Sequence, residues 1–165
     1  MSVAFTKEGD AESAAADLPD RPISSHPNLV TASGLAAIEA ALAAARQAYA
    51  AAQAGGGVEG DRTAMARATR ELRYWSSRRG SAQLVPPPED DEVVRFGAVV
   101  TLLRDDGPRQ TFRIVGEDEA DPAQGAVFYL SPIARALMGK GPGDTAAFGG
   151  STAEILAISS AGEQP

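Results

Sequence analysis

Three consecutive prolines, Pro86 to Pro88, followed by Glu89, Asp90, Asp91 and Glu92, set the strongest limit on how this chain folds. Proline fixes φ, has no amide hydrogen to donate and disfavours helix at the residue before it, so neither a helix nor a central strand continues through this point. Residues 86–92 are therefore expected to form a semi-rigid linker and a domain boundary. The sequence has a different period on each side of it.

Before the prolines the period is that of helices. Apolar or small residues fall at Leu35, Ile38, Leu42, Ala45, Tyr49 and Ala52, and again at Met65, Ala68, Leu72, Trp75 and Ala82, with Arg79 as the exception. Steps of three and four make the narrow seam of a coiled coil. The run Gly55, Gly56, Gly57 between the two sets ends the first helix, because glycine is poor inside a helix and readily takes the left-handed conformation beyond its end. Residues 31–85 are thus expected to form an antiparallel hairpin, with Leu42 facing Trp75, Ala45 facing Leu72, Tyr49 facing Ala68 and Ala52 facing Met65. Trp75 on Leu42 is the expected mainstay of this seam. Thr31 or Ser33 can cap the first helix through a hydroxyl oxygen.

Residues 1–30 are polar and acidic, interrupted by Pro19, Pro22 and Pro27, and read as a disordered or extended lead-in. His26, the single histidine, sits in this loop with no second ligand beside it and is assigned no chemistry. The net charge of −7 is unevenly spread. Residues 31–85 are basic, with Arg62, Arg67, Arg70, Arg73, Arg78 and Arg79 crowding the second helix, while both flanks are acidic. Either a solvated helix face or a contact for phosphate or an acidic protein explains that run.

After the linker the period becomes that of strands. Val93 to Leu103, Gln110 to Val115, Gly125 to Leu130, Thr145 to Phe148 and Ala153 to Ile158 are short apolar or alternating runs separated by turn residues. One helix interrupts them: Ser131 suits the N-cap, Pro132 the first helical position, and Ile133 to Met138 stops at Gly139. Residues 93–159 read as an antiparallel sheet with one short helix, leaving 160–165 as a tail; the chain as a whole is α+β. With no cysteine there is no disulfide, thiolate metal site or cysteine nucleophile, which fits a cytoplasmic protein. No apolar run approaches the ~18 residues of a membrane span. Gly55 to Gly60 lacks the Lys-Ser/Thr of a phosphate-binding loop and follows no strand.

Val94-Arg95-Phe96-Gly97, the run from Phe112 to Asp121 (Phe-Arg-Ile-Val-Gly-Glu-Asp-Glu-Ala-Asp), Ser131 to Lys140 (Ser-Pro-Ile-Ala-Arg-Ala-Leu-Met-Gly-Lys) and Gly143-Asp144 resemble the C-terminal domain of the bacterial transcript-cleavage factors GreA and GreB. The likeness runs from about Val93 to Ile158, with a looser one at Asn28 to Thr31, Gly34-Leu35 and Glu59 to Arg62. It implies an FKBP-like globular domain that docks on RNA polymerase at the mouth of the secondary channel. Asp118, Glu119, Ser131 and Pro132 would lie at the contact, the acidic loop serving as an electrostatic surface rather than a metal site. It implies that the coiled coil reaches inward with Arg67, Arg70 and Arg73 facing the channel and nascent RNA, and that a monomeric accessory factor, not an enzyme, acts with no cofactor of its own.

In that family two tip acids, three residues apart, help hold a catalytic Mg²⁺ shared with the polymerase. Here Asp61 stands at the first position and could share that Mg²⁺, but Ala64 occupies the second, and Glu59 is the nearest other tip acid, expected on the loop. The helices also read as shorter than the family's by roughly two turns, ~11 Å of reach. The expected function is a Gre-type factor that binds polymerase and modulates elongation with weak or absent stimulation of cleavage. The alternatives are an inhibitory or competing channel occupant, and a regulator of another protein such as nucleoside diphosphate kinase. A third is an FKBP-like prolyl isomerase, which fold alone does not support.

Overall fold

The computed structural model describes residues 18–55 and 59–160, without the side chains of 59–61. The described chain falls into two units: residues 18–26 with Ala37–Ser81, and Pro27–Ala36 with the chain from Ala82 onward. The division differs from the expected one. Pro86 to Pro88 and the acids after them lie inside the second unit, as does the first turn of the first helix. Residues 1–17 and 161–165 of the expected lead-in and tail lie outside the described residues.

The first unit is a helical pair. Helix α1 spans Ala32–Ala54 and helix α2 spans Glu59–Ser81, each 23 residues long. Alanine, the strongest helix former, fills much of α1, whose last turn closes with Gly55 N donating to Ala51 O. Ile38, Leu42 and Ala45 of α1 and Ala68, Tyr74 and Arg78 of α2 are buried. The antiparallel register is the one the spacing predicts: Arg79 pairs with Glu39 at 2.8 Å, and Ala48, Ala51 and Ala52 line one groove with Ala64, Arg67 and Ala68.

The facing side of α2 is rotated from the expected one. Tyr74 is 9% exposed and Arg78 2%, whereas Trp75 and Leu72 are half-buried and Arg79 is exposed. The rotation brings residue 74 rather than 75 inward, so Trp75 is not the mainstay of the seam. Its indole Nε1 donates instead to Glu71 at 3.2 Å, and its ring meets Tyr74 edge-on at 4.9 Å.

In the second unit, strands β1 (Leu29–Val30) and β2 (Gln83–Leu84) form a parallel two-residue ladder. Gln83 N donates to Asn28 O and Val85 N to Val30 O. Asn28 and Val30 are buried, so the lead-in ends before residue 28. A five-stranded sheet follows, built from β3 (Ala98–Arg104), β4 (Arg109–Val115), β5 (Ala126–Phe128), β6 (Thr145–Phe148) and β7 (Ser151–Ser160) in the order β5-β4-β3-β7-β6. The expected all-antiparallel sheet is mixed, because β5 runs parallel to β4. That pairing follows from the connection: two short 3-10 turns, Glu117–Glu119 and Pro122–Gln124, carry the chain back before β5 begins. Gly116 permits the return, since a Cβ there would sit 2.2 Å from Leu29 O.

Ala98, Val100 and Leu102 alternate inward along β3 as a half-buried strand requires. In β7 the inward positions are Ala153 and Ile155 and then Ile158, because an irregularity opposite Thr101 and Leu102 leaves Leu156 as the extra residue and flips the alternation. Helix α3 (Pro132–Leu137) closes the core with Ala134 and Leu137, both at 0% exposure. The strand expected from Val93 starts only at Ala98. Val94 N instead donates to Lys140 O and Val94 O accepts from Gly139 N, tying the approach to β3 onto the segment after α3.

Candidate functional site

Of the expected contact residues, Glu119 has the most constrained place. Thr31 precedes α1, where its carbonyl accepts from Leu35 N at 2.9 Å and its Oγ1 accepts from Gly34 N at 3.0 Å. That leaves the Thr31 hydroxyl hydrogen to donate to Glu119 Oε2 at 2.5 Å, while Ser33 Oγ donates to Oε1 at 2.6 Å. Arg113 Nη1 reaches the same Oε1 at 2.8 Å. The carboxylate thus sits at the positive end of α1 with three donors on it, and its side chain is only 10% exposed. Glu119 holds its own unit together; it does not face outward as the acidic-loop expectation had it.

Asp118, beside it in the first 3-10 turn, is half-buried, and Glu117 is exposed. Ser131 is the N-cap of α3, its Oγ accepting from Ala134 N at 3.4 Å, and Pro132 stands exposed at the first helical position. In the approach to β3, Asp90 accepts from Arg95 at 2.8 Å, which, with the backbone N–H of Glu92, lowers its carboxyl pKa below the ordinary carboxylate value.

In the first unit the tip acids begin α2. The helix starts at Glu59, so Glu59 is helical rather than on the loop, and Asp61 is the third helical residue. Their side chains lie outside the described residues. Ala64 is exposed one turn further on. Of the basic residues facing the expected RNA path, Arg67 is exposed, Arg70 is half-buried with its Nε lacking a partner, and Arg73 Nη1 pairs with Asp20 Oδ1 at 3.3 Å. Arg62, Arg70 and Arg73 line one open groove on α2 with Met65, Thr69 and Leu18.

Sequence reasoning missed two partnerships, both of long sequence separation. One is Glu119 with Thr31 and Ser33; their hydroxyls were legible as caps, but nothing local pointed to the carboxylate. The other is Arg21, whose guanidinium lies 3.6 Å over the Tyr74 ring and donates to Glu71 at 2.8 Å. An arginine in a proline-broken acidic segment carries no periodic signal.

Residues 89–160 match the family model "Transcription elongation factor, GreA/GreB, C-term". Transcription elongation factor GreB of Neisseria meningitidis serogroup B is 46% identical over 77 residues, covering 46% of this chain and 47% of that protein. GreA of Methylobacterium nodulans is 49% identical over 74 residues, covering 42% and 47%, and GreA of Hyphomonas neptunium is 59% identical over 54 residues, covering 32% and 34%. The chain spans about half the length or less of the curated relatives it matches. Among solved structures, GreA factor homolog 1 (Gfh1) of Thermus thermophilus covers 81% of this chain and is itself covered to 99%, at 19% identity and a TM-score of 0.39.

Proposed function

We propose that this chain, whose C-terminal domain belongs to the GreA/GreB family, is a Gre-type transcription elongation factor that binds RNA polymerase at its secondary channel and modulates elongation. The observation that supports this reading most is the family match over residues 89–160, which takes in the Glu117–Glu119 turn and the start of α3. In this reading the second unit provides the docking surface. Asp118 and Pro132 make the contact, Ser131 fixes the helix start that presents Pro132, and Glu119 holds the turn from behind. The factor is a cytoplasmic monomer, and the polymerase owns the chemistry.

Arg67, Arg70 and Arg73 on α2 attract nascent RNA, since each cation near a phosphate releases condensed counterions. The tip does not fit a Mg²⁺ held by two carboxylates. Asp61 and residue 64 lie one helical turn apart, and residue 64 is an alanine whose methyl offers no oxygen to a hard cation. Binding without strong stimulation of transcript cleavage is the expected activity.

Two measurements with the cognate polymerase test this. In a binding titration Asp118→Lys should weaken the complex by about ten-fold at low salt, because reversing a rim charge slows association; equal affinity at low and high salt would remove the docking surface from this place. On backtracked elongation complexes the wild type should stimulate cleavage little, and Ala64→Glu should raise it. Strong wild-type stimulation that Asp61→Ala abolishes would show that one tip acid suffices.

A further inference from the structure

Residues 18–26 lie outside the stretch the family model covers, yet they take part in the first unit through two contacts of unequal quality. Arg21 is the firm one. Its guanidinium stacks on Tyr74, lies 5.4 Å from the Trp75 ring centroid, and pairs with Glu71 Oε2, the same oxygen that accepts from Trp75 Nε1. Asp20 is the loose one. Its ion pair to Arg73 at 3.3 Å, the one it makes among the described residues, has side chains 62% and 67% exposed. Beside it Leu18 covers part of a groove of about 360 Å³ whose other walls include Arg62, Met65, Arg70 and Arg73. The Nε of Arg70, buried there, has no hydrogen-bond partner.

We propose that the segment Leu18–Ser25 is a displaceable strap over the basic face of α2, with Asp20 standing at Arg73 in place of a phosphate oxygen of bound RNA. The inference rests on the reading of that face as RNA-attracting and adds its control. A solvent-exposed carboxylate on an arginine is a weak competitor, since such pairs are worth little and are screened by salt. A polyanion offering several phosphates to Arg62, Arg70 and Arg73 outbids it. Arg21 then decides how far the strap moves: held on Tyr74 and Glu71, it keeps the segment close, so that Asp20 returns when the RNA leaves. The strap therefore raises the threshold for RNA without closing the face.

The test uses the full chain and a labelled single-stranded RNA oligonucleotide, read by anisotropy, with the emission of Trp75, the sole tryptophan, as a second signal. Asp20→Ala should bind roughly two- to five-fold tighter than wild type at low salt, the range set by an exposed ion pair. Asp105→Ala, which removes a negative charge from the second unit, should not. The gain should vanish when Arg73→Ala is added, and saturating RNA should leave wild-type Trp75 emission distinct from that of Arg21→Ala, because Arg21 stays on Tyr74 and Glu71 while Asp20 moves. Equal RNA affinity for wild type and Asp20→Ala would overturn the strap while leaving the RNA-binding face intact, and wild-type Trp75 emission moved by RNA to that of Arg21→Ala would overturn the part given to Arg21. An equal gain from Asp105→Ala would reduce the effect to net charge and overturn it too. No anisotropy change with any of the proteins would overturn the strap together with the RNA-binding face.

Discussion

The two units of this molecule are held by different physics. In the second, Ala98, Val100, Leu102, Ile114, Ala134, Leu137, Ala153 and Ile155 are all at 0% exposure, and the strands and α3 enclose one apolar cluster. In the first, Ile38 is the one large apolar side chain as deeply buried among the described residues, and its companion at that depth is Arg78. Each fully buried aliphatic side chain contributes on the order of 1.5–3 kcal/mol, and a pair of helices with few of them leans on intrinsic propensity and polar contacts instead. Hence the alanines of α1, the Arg79–Glu39 pair, and the cluster of Arg21, Glu71, Tyr74 and Trp75. A unit built that way keeps a long charged surface available, and a unit built on a closed core keeps its shape when charges on its rim change.

The sharpest break of that contrast is a cavity in the second unit. Leu102→Ala should cost about 4 kcal/mol, since the side chain is fully enclosed and its neighbours on β4 and β7 cannot collapse onto the gap. Urea unfolding followed by helix signal and Trp75 emission, which report the first unit, and by amide hydrogen exchange in β3 and β7, which reports the second, should then resolve two transitions, with the second unit lost first. A single shared transition would mean that the two units are one cooperative body and that the contrast is only one of composition.

The same contrast explains what the sequence made legible. Strand alternation, turn residues and the Ser131-Pro132 helix start located every strand of the sheet, because a two-sided pleat and a capped helix leave period-2 and positional signals. The parallel placing of β5 left none, since it depends on where Gly116 lets the chain turn back past Leu29. On the first unit the helices and their axial register were legible, and the facing side was not. Tyr74 and Trp75 are adjacent, and a narrow seam of small residues tolerates either one inward. The outcome turned on Arg21, far away in sequence, which with Glu71 on the same helix holds the Trp75 side. At the expected docking residues the chain order of acids was visible, but the inward turn of Glu119 required knowing that Thr31, Ser33 and Arg113 converge on it.

A smaller effect tests the first unit alone. Tyr74→Ala should cost roughly 3 kcal/mol, the low end for an enclosed aromatic, because it removes both the packed ring and the platform under Arg21. Trp75→Ala should cost less, about 2 kcal/mol, since its ring is half-buried and its indole contact is an exchangeable one to Glu71. The comparison is read from the helix signal at 222 nm on heating. The reverse order would restore Trp75 as the mainstay of the seam and place the rotation of α2 in error.

A loss of similar size asks whether the second unit, too, depends on a polar clamp where its core ends. Glu119 accepts from Thr31, Ser33 and Arg113 with a side chain 10% exposed, so Glu119→Ala leaves three donors facing a vacated site. Solvent can reach the Arg113 end, whose side chain is 36% exposed, and water there will recover part of the loss. About 2 kcal/mol is therefore expected, within the range for hydrogen bonds to a charged group. Glu119→Gln should recover little of it. Its amide keeps one acceptor but turns a nitrogen donor toward either the Thr31 hydroxyl or the Ser33 and Arg113 pair. Arg113→Ala in the Glu119→Ala background should add much less than it does alone, because the two side chains share one contact, and the double-mutant cycle in urea measures that coupling. If Glu119→Ala cost nothing and Arg113→Ala were additive with it, the clamp would be ornamental to stability. The closed core alone would then hold the second unit, which would make the contrast between the two units complete.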